Sequence, residues 1–83
     1  MIAELSWAAN AESDLSHYVL YWGTVTGVYS SQRLETETRA FVPDLPDRAP
    51  VYFAVTAVDN SGNESGFSTE VSKTNKRVRI RIS

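Results

Sequence analysis

Apolar and polar side chains alternate in short runs along this chain, and no window of a dozen residues keeps the apolar stripe of a helix. Alternation with a period of two is typical of β-strands that are buried on one face. The pattern therefore predicts an all-β protein without helices. The predicted strands cover approximately residues 2–7, 17–22, 28–34, 38–42, 51–59 and 67–72.

The run from Val51 to Asp59 is the most apolar, with apolar side chains on both faces, so we predict that this strand lies centrally in its sheet. Three prolines between residues 43 and 50 predict a rigid crossover around Leu45, because proline cannot donate to a strand ladder. The segment Asn60-Ser61-Gly62-Asn63 predicts a tight turn.

The chain has 83 residues and no cysteine, which allows one small domain and excludes disulfides and thiolate metal sites. An apolar content of 42% is ordinary for a folded domain, so we expect packing alone to hold the fold. The longest largely apolar stretch, Val51 to Val58, is too short to span a bilayer.

Charge divides the chain into two parts. Residues 1–72 contain ten acidic and three basic residues, which gives −7, whereas residues 73–83 contain five basic residues and no acid. Within the second part, arginines at positions 77, 79 and 81 alternate with Val78, Ile80 and Ile82. We therefore predict a β-sandwich over residues 1–74 and a basic amphipathic strand or tail over residues 75–83.

Several short motifs follow one another in a characteristic order. They are Leu5-Ser6-Trp7, Glu12-Ser13-Asp14-Leu15, Tyr18-x-Leu20-x-Trp22-Gly23-Thr24, Leu45, Phe53-x-Val55-x-Ala57-Val58-Asp59, and Ser61-Gly62-Asn63-Glu64-Ser65 before Val71-Ser72. In this order, over residues 3 to 72, the chain resembles a fibronectin type III domain of the bacterial extracellular type.

The resemblance implies an immunoglobulin-like β-sandwich with Greek-key connections, in which strands A, B and E pack on strands C′, C, F and G. It also implies a core centred on Trp7, Tyr18 and Leu20. The match begins at the family's second strand, so we expect its first strand, A, to be missing or to lie outside this sequence. The family's corner tyrosine is replaced by Val51.

A missing strand A would leave strand B with an unpaired edge, and the basic tail has the pattern of a spare strand. Three interpretations stay open. The tail pairs with strand B of its own molecule, it forms a strand-mediated homodimer through Arg77 to Ile82, or it is a linker whose arginines keep it soluble.

No residue pattern predicts a catalytic, cofactor-binding or metal site, and we predict that the chain is not an enzyme. His17 is the only histidine, no Gly-x-Ser-x-Gly elbow is present, and the carboxylates are dispersed among the loops. Asp59-x-Ser61-x-Asn63 with Glu70 weakly matches a calcium loop, but its glycine falls at the fourth place and not the sixth. We interpret this segment as a turn.

The resemblance implies a noncatalytic structural or protein-interaction module, a spacer or presentation domain of a larger extracellular or cell-surface protein, whose partners are proteins or neighbouring domains. The alternative is an accessory carbohydrate-binding module of a secreted polysaccharide-degrading enzyme, which requires an exposed aromatic strip. Candidates for that strip are Tyr21, Tyr29, Phe41 and Tyr52. We do not expect nucleic acid as a partner, because the tail lacks aromatics and the body is acidic.

Overall fold

A computed structural model describes residues 3–9, 13–43, 45 and 50–73, and the backbone of residues 77–79. Seven strands and no helix occur in this part of the chain. The strands are β1 (Ala3–Ser6), β2 (Leu15–Gly23), β3 (Ser31–Glu35), β4 (Arg39–Val42), β5 (Val51–Asp59), β6 (Val71–Lys73) and β7 (Arg77–Arg79). Over the described residues, no helix is long and apolar enough to cross a membrane.

The strands form two sheets, one of three strands in the order β4-β1-β7 and one of four in the order β3-β2-β5-β6. All neighbours are antiparallel except β1 and β7, which run parallel. The predicted all-β class is confirmed, and the two sheets fit a β-sandwich.

The core lies where alternate side chains of both sheets meet. Trp7 and Tyr18 are 5% and 3% exposed, and their rings meet edge to face with centroids 5.6 Å apart. This geometry suits the quadrupoles of two aromatic rings. Burial of Trp7, Tyr18 and Leu20 is as predicted. The rest of the cluster comprises Ala3, Leu5, Val42, Leu45, Val51, Phe53, Val55 and Ala57.

Strand β5 lies between β2 and β6, as its apolar run predicted. Both of its faces are covered, since Val55 on the inner face and Ala54 and Thr56 on the outer face are at most 1% exposed. Leu45, at the centre of the predicted crossover, is buried, while residues 44 and 46–49 of the crossover lie outside the described residues.

The sixth strand is shorter than predicted and begins at Val71 instead of Phe67. Two serines explain the difference. The amides of Ser65 and Ser68 donate to the carbonyls of Ala57 and Val55, and their hydroxyls accept from the amides of the same two residues at 2.9 and 3.0 Å. Side-chain oxygens thus satisfy this edge of β5 in place of a regular ladder.

The third strand also begins later than predicted, at Ser31. Residues 25–28 form a turn in which the Val28 amide donates to the Val25 carbonyl at 3.0 Å, and Gly27 has a φ of 74°. That φ lies in the left-handed region that glycine adopts without strain. The turn brings the chain back against Gly23, where a Cβ would lie 2.4 Å from the Val28 carbonyl oxygen.

The tail pairs within its own chain. Residues Arg77, Val78 and Arg79 lie opposite Glu4, Leu5 and Ser6 of β1. The sequence left open whether this segment pairs inside the molecule, with a neighbour, or not at all. In the structure, β7 occupies the edge of β1 that β4 leaves free. Residues 80–83, which complete the predicted alternation, lie outside the described residues.

Candidate binding surface

Three aromatic side chains form a cluster on the outer face of the four-stranded sheet. Tyr21 comes from β2, Tyr29 from the segment before β3, and Phe67 from the β5–β6 connection. Phe67 lies 5.0 Å from Tyr21 and 5.2 Å from Tyr29, and the two tyrosines are 6.0 Å apart, all between ring centroids. We call these three residues the aromatic cluster.

The strand alternation explains how Tyr21 reaches this face. Tyr18 and Leu20 of β2 are buried in the core, so Val19 and Tyr21 point to the opposite side. Tyr21 lies opposite Ala54 of β5, whose small side chain leaves room for Phe67 of the connection to lie over the sheet. Three separate elements therefore meet at this point.

A first carboxylate, that of Glu64, borders the aromatic cluster. Its Oε2 accepts hydrogen bonds from the Tyr21 hydroxyl and from the Thr56 hydroxyl, the latter at 2.7 Å. The hydrogen bonds from Tyr21 and Thr56, with attraction to His17, lower the pKa of the Glu64 carboxyl. Burial and the neighbouring Glu64 raise the pKa of Tyr21. The pair is therefore a neutral phenol that donates to an ionised carboxylate at neutral pH.

A second carboxylate, that of Glu70, holds the other side of the cluster. It accepts from the Thr26 hydroxyl at 2.5 Å, the Tyr29 hydroxyl at 2.6 Å and the Gly27 amide at 2.9 Å. These three bonds lower the pKa of Glu70, while burial and Glu70 raise the pKa of Tyr29 to about 12. The carboxylate thereby fastens the turn of residues 25–28 to the β5–β6 connection.

Exposed apolar groups accompany the cluster. Phe67 is 58% exposed, although it contacts both tyrosine rings. Val25 and Val28 in the turn fastened by Glu70 are 56% and 61% exposed. Leu34 of β3, which lies opposite Val19, is 57% exposed. Phe67 and Leu34 thus add exposed apolar groups to the outer face of the sheet, and Val25 and Val28 add them in the neighbouring turn.

The aromatic residues proposed from the sequence do not form one strip. Tyr21 and Tyr29 contact each other, but Phe41 lies on β4, in the other sheet. Tyr52 of β5 lies opposite Gly23, two residues beyond Tyr21 along β2. The sequence analysis did not identify Phe67 as a surface residue, because the predicted strand over residues 67–72 includes it. Its isolation between Gly66 and Ser68, after a polar run, was the available signal.

His17 and the segment that weakly matches a calcium loop have local hydrogen bonds in the structure. His17 Nδ1 lies 2.9 Å from the hydroxyl of its neighbour Ser16, in an exposed pair. Asp59 Oδ1 instead accepts from the amides of Ser61 and Asn63, both at 2.9 Å, and closes the predicted turn. Glu70 is engaged with the turn of residues 25–28. Within the described residues, no group of three or more His, Cys, Asp or Glu side chains is placed to hold a metal ion.

Comparison of the chain with models of protein families, with curated proteins and with solved structures found no match in any of the three. Inferences about function therefore depend on the residues and contacts described above.

Proposed function

We propose that this chain is a noncatalytic module of the fibronectin type III kind, which contacts a protein partner or neighbouring domains within a larger extracellular protein. The strand order supports the proposal. Strands β3-β2-β5-β6 would correspond to C′-C-F-G, and β4-β1 to E-B. Strand β7 then takes the position beside B that strand A has in the family, although it runs parallel to β1.

The observation that carries the interaction role is the aromatic cluster. An exposed phenylalanine, half-buried tyrosines and exposed aliphatic side chains on one sheet face are the composition of a protein contact, in which aromatic residues are enriched. The hydrogen bonds to Glu64 and Glu70 fix the tyrosines in place, so a partner would meet a surface that is already ordered.

The ring geometry favours a protein partner over a carbohydrate. A sugar-binding strip presents flat ring faces along one line, whereas the rings here are tilted against one another by 47°, 56° and 82°. Both tyrosine hydroxyls already donate to carboxylates. The edge of β1 that a strand-mediated homodimer would use is occupied by β7 of the same chain, so the proposed module does not require that dimer.

A titration with neutral oligosaccharides, followed by Trp and Tyr fluorescence, tests this choice. We expect no saturable change with xylo-, cello- or chito-oligosaccharides, for the chain or for its Phe67→Ala variant. Saturable binding that is lost in Phe67→Ala but kept in Phe41→Ala would replace the proposal with the carbohydrate-binding alternative. Phe41 is the matched control because it is similarly exposed, at 52%, on the other sheet.

A further inference from the structure

The aromatic cluster has an arrangement that specifies the chemistry of a partner. Phe67 contacts two tyrosines that each donate to a glutamate, Tyr21 to Glu64 and Tyr29 to Glu70. The exposed Phe67 ring therefore shares a surface with two carboxylates, each reached through a tyrosine. None of the described hydrogen bonds to these two carboxylates comes from a lysine or an arginine.

One oxygen of Glu64 accepts no hydrogen bond from the part of the chain that the structure describes. Both hydrogen bonds that Glu64 accepts from the described residues end on Oε2, so its Oε1 keeps its full accepting capacity. Glu70 differs, because both of its oxygens accept within the fold. The two tyrosine–glutamate pairs therefore have different roles, and Glu64 is the one prepared for an external hydrogen bond.

We infer that the surface around Phe67 and Glu64 binds a basic protein segment through an arginine side chain, whose guanidinium stacks on Phe67 while donating to Glu64. This inference rests on the proposed interaction role and names the chemistry of the partner. A guanidinium is planar, carries several donors and is attracted to the face of an aromatic ring, so one group satisfies both contacts. Lysine, a point charge without a flat face, satisfies them less well.

The charge of the whole body supports the same partner. Residues 1–72 carry −7 and the whole chain carries −2, so the charge favours a basic segment over an acidic one. Residues 77–79 of the chain's own tail pair with β1, in the other sheet from β2 and β5.

The test is a nuclear magnetic resonance titration of the isotope-labelled full chain with a short glycine-serine peptide that contains two arginines. The same peptide with citrulline, the neutral analogue of arginine, and one with lysine serve as controls. We expect saturable shifts centred on Tyr21, Glu64 and Phe67 with the arginine peptide. The lysine peptide should bind more weakly, and the citrulline peptide should cause no shift.

Matched variants separate a specific site from general attraction. Phe67→Leu keeps an apolar side chain without a ring, and Glu64→Gln keeps the size without the charge. Each should weaken the arginine peptide by about threefold or more. Phe41→Leu and Glu37→Gln change an exposed ring and an exposed carboxylate elsewhere and should leave the affinity unchanged.

Equal weakening by Glu64→Gln and Glu37→Gln, or no effect of Phe67→Leu, would overturn the inference, because binding would then follow the acidic surface as a whole. The appearance of the same shifts on raising the protein concentration without peptide would identify a second copy as the occupant and would also contradict it. An absence of any shift would remove this inference alone, since the proposed contact with a protein partner does not require an arginine. The oligosaccharide titration separately tests the choice between a protein contact and carbohydrate binding.

Discussion

Single residues fix the ends of the four-stranded sheet. Gly23 ends β2, and a Cβ at this position would meet the backbone of the returning turn, with the Val28 carbonyl oxygen at 2.4 Å and the Ser30 amide nitrogen at 3.1 Å. Both obstacles are backbone atoms, so no side chain can rotate away. The constraint is steric, since the φ of Gly23 does not lie in the region reserved for glycine.

Gly23→Ala should therefore destabilise the fold by about 1–3 kcal/mol, the range for inserting atoms into a filled space. Gly66→Ala is the control, because a Cβ there meets nothing within 4 Å. Urea unfolding followed by circular dichroism measures both. Equal midpoints for the two variants would show that the turn does not pack against Gly23 as described.

Between elements, carboxylates join loops that the strand ladders do not connect. Glu70 precedes β6 and fastens the turn of residues 25–28, about forty positions earlier in the chain.

Arg33 acts at the opposite edge of the four-stranded sheet. It lies on the outermost strand of its sheet, its guanidinium sits over the Trp22 ring, and its Nη2 donates to the Phe41 carbonyl of β4 at 3.0 Å. A charged side chain so placed discourages edge-to-edge pairing with another molecule.

The Glu70 contacts predict an acid-sensitive stability. Because the pKa of Glu70 is lowered from its ordinary value of 4.5, the ionised carboxylate favours the folded state above that pH, and this contribution is lost as the pH falls through the folded pKa. Glu70→Gln should be less stable than the parent at neutral pH, and the two should converge as the pH falls from 4.5 through the lowered folded-state pKa of Glu70.

Thermal unfolding measured at a series of pH values tests this expectation. Glu37→Gln, in the exposed turn between β3 and β4, is the control and should follow the parent at every pH. A Glu70→Gln curve that stays parallel to the parent down to acid pH would mean that the carboxylate does not hold the turn.

At the scale of the whole molecule, the sequence predicted what depends on alternation and missed what depends on irregular segments. The buried pair Trp7 and Tyr18 and the central position of β5 follow from apolar residues at every second position. Phe67 and Glu70 lie in a connection whose path is set by serine side chains along β5, and no periodic signal encodes that path. Of the surface that we propose for binding, the sequence therefore indicated only Tyr21 and Tyr29.

The sequence also did not determine which strand the tail pairs with. The alternation of arginine with valine and isoleucine predicts a strand. A free strand edge of the same molecule and one of a second molecule offer similar hydrogen-bonding groups, so the pattern does not distinguish between them. The three-dimensional arrangement decides this, since β7 contacts β6 and pairs with β1 of the same chain.

The central claim is that two sheets close around Trp7 and Tyr18, with β2 and β5 in the register that presents Tyr21 on the outer face. Nuclear Overhauser contacts in the intact chain test it most directly. We predict contacts between the Trp7 and Tyr18 rings, and cross-strand contacts of Tyr18 with Ala57 and of Tyr21 with Ala54. A register shifted by one residue, or a solvated Trp7 ring, would contradict both the fold and the binding surface that depends on it.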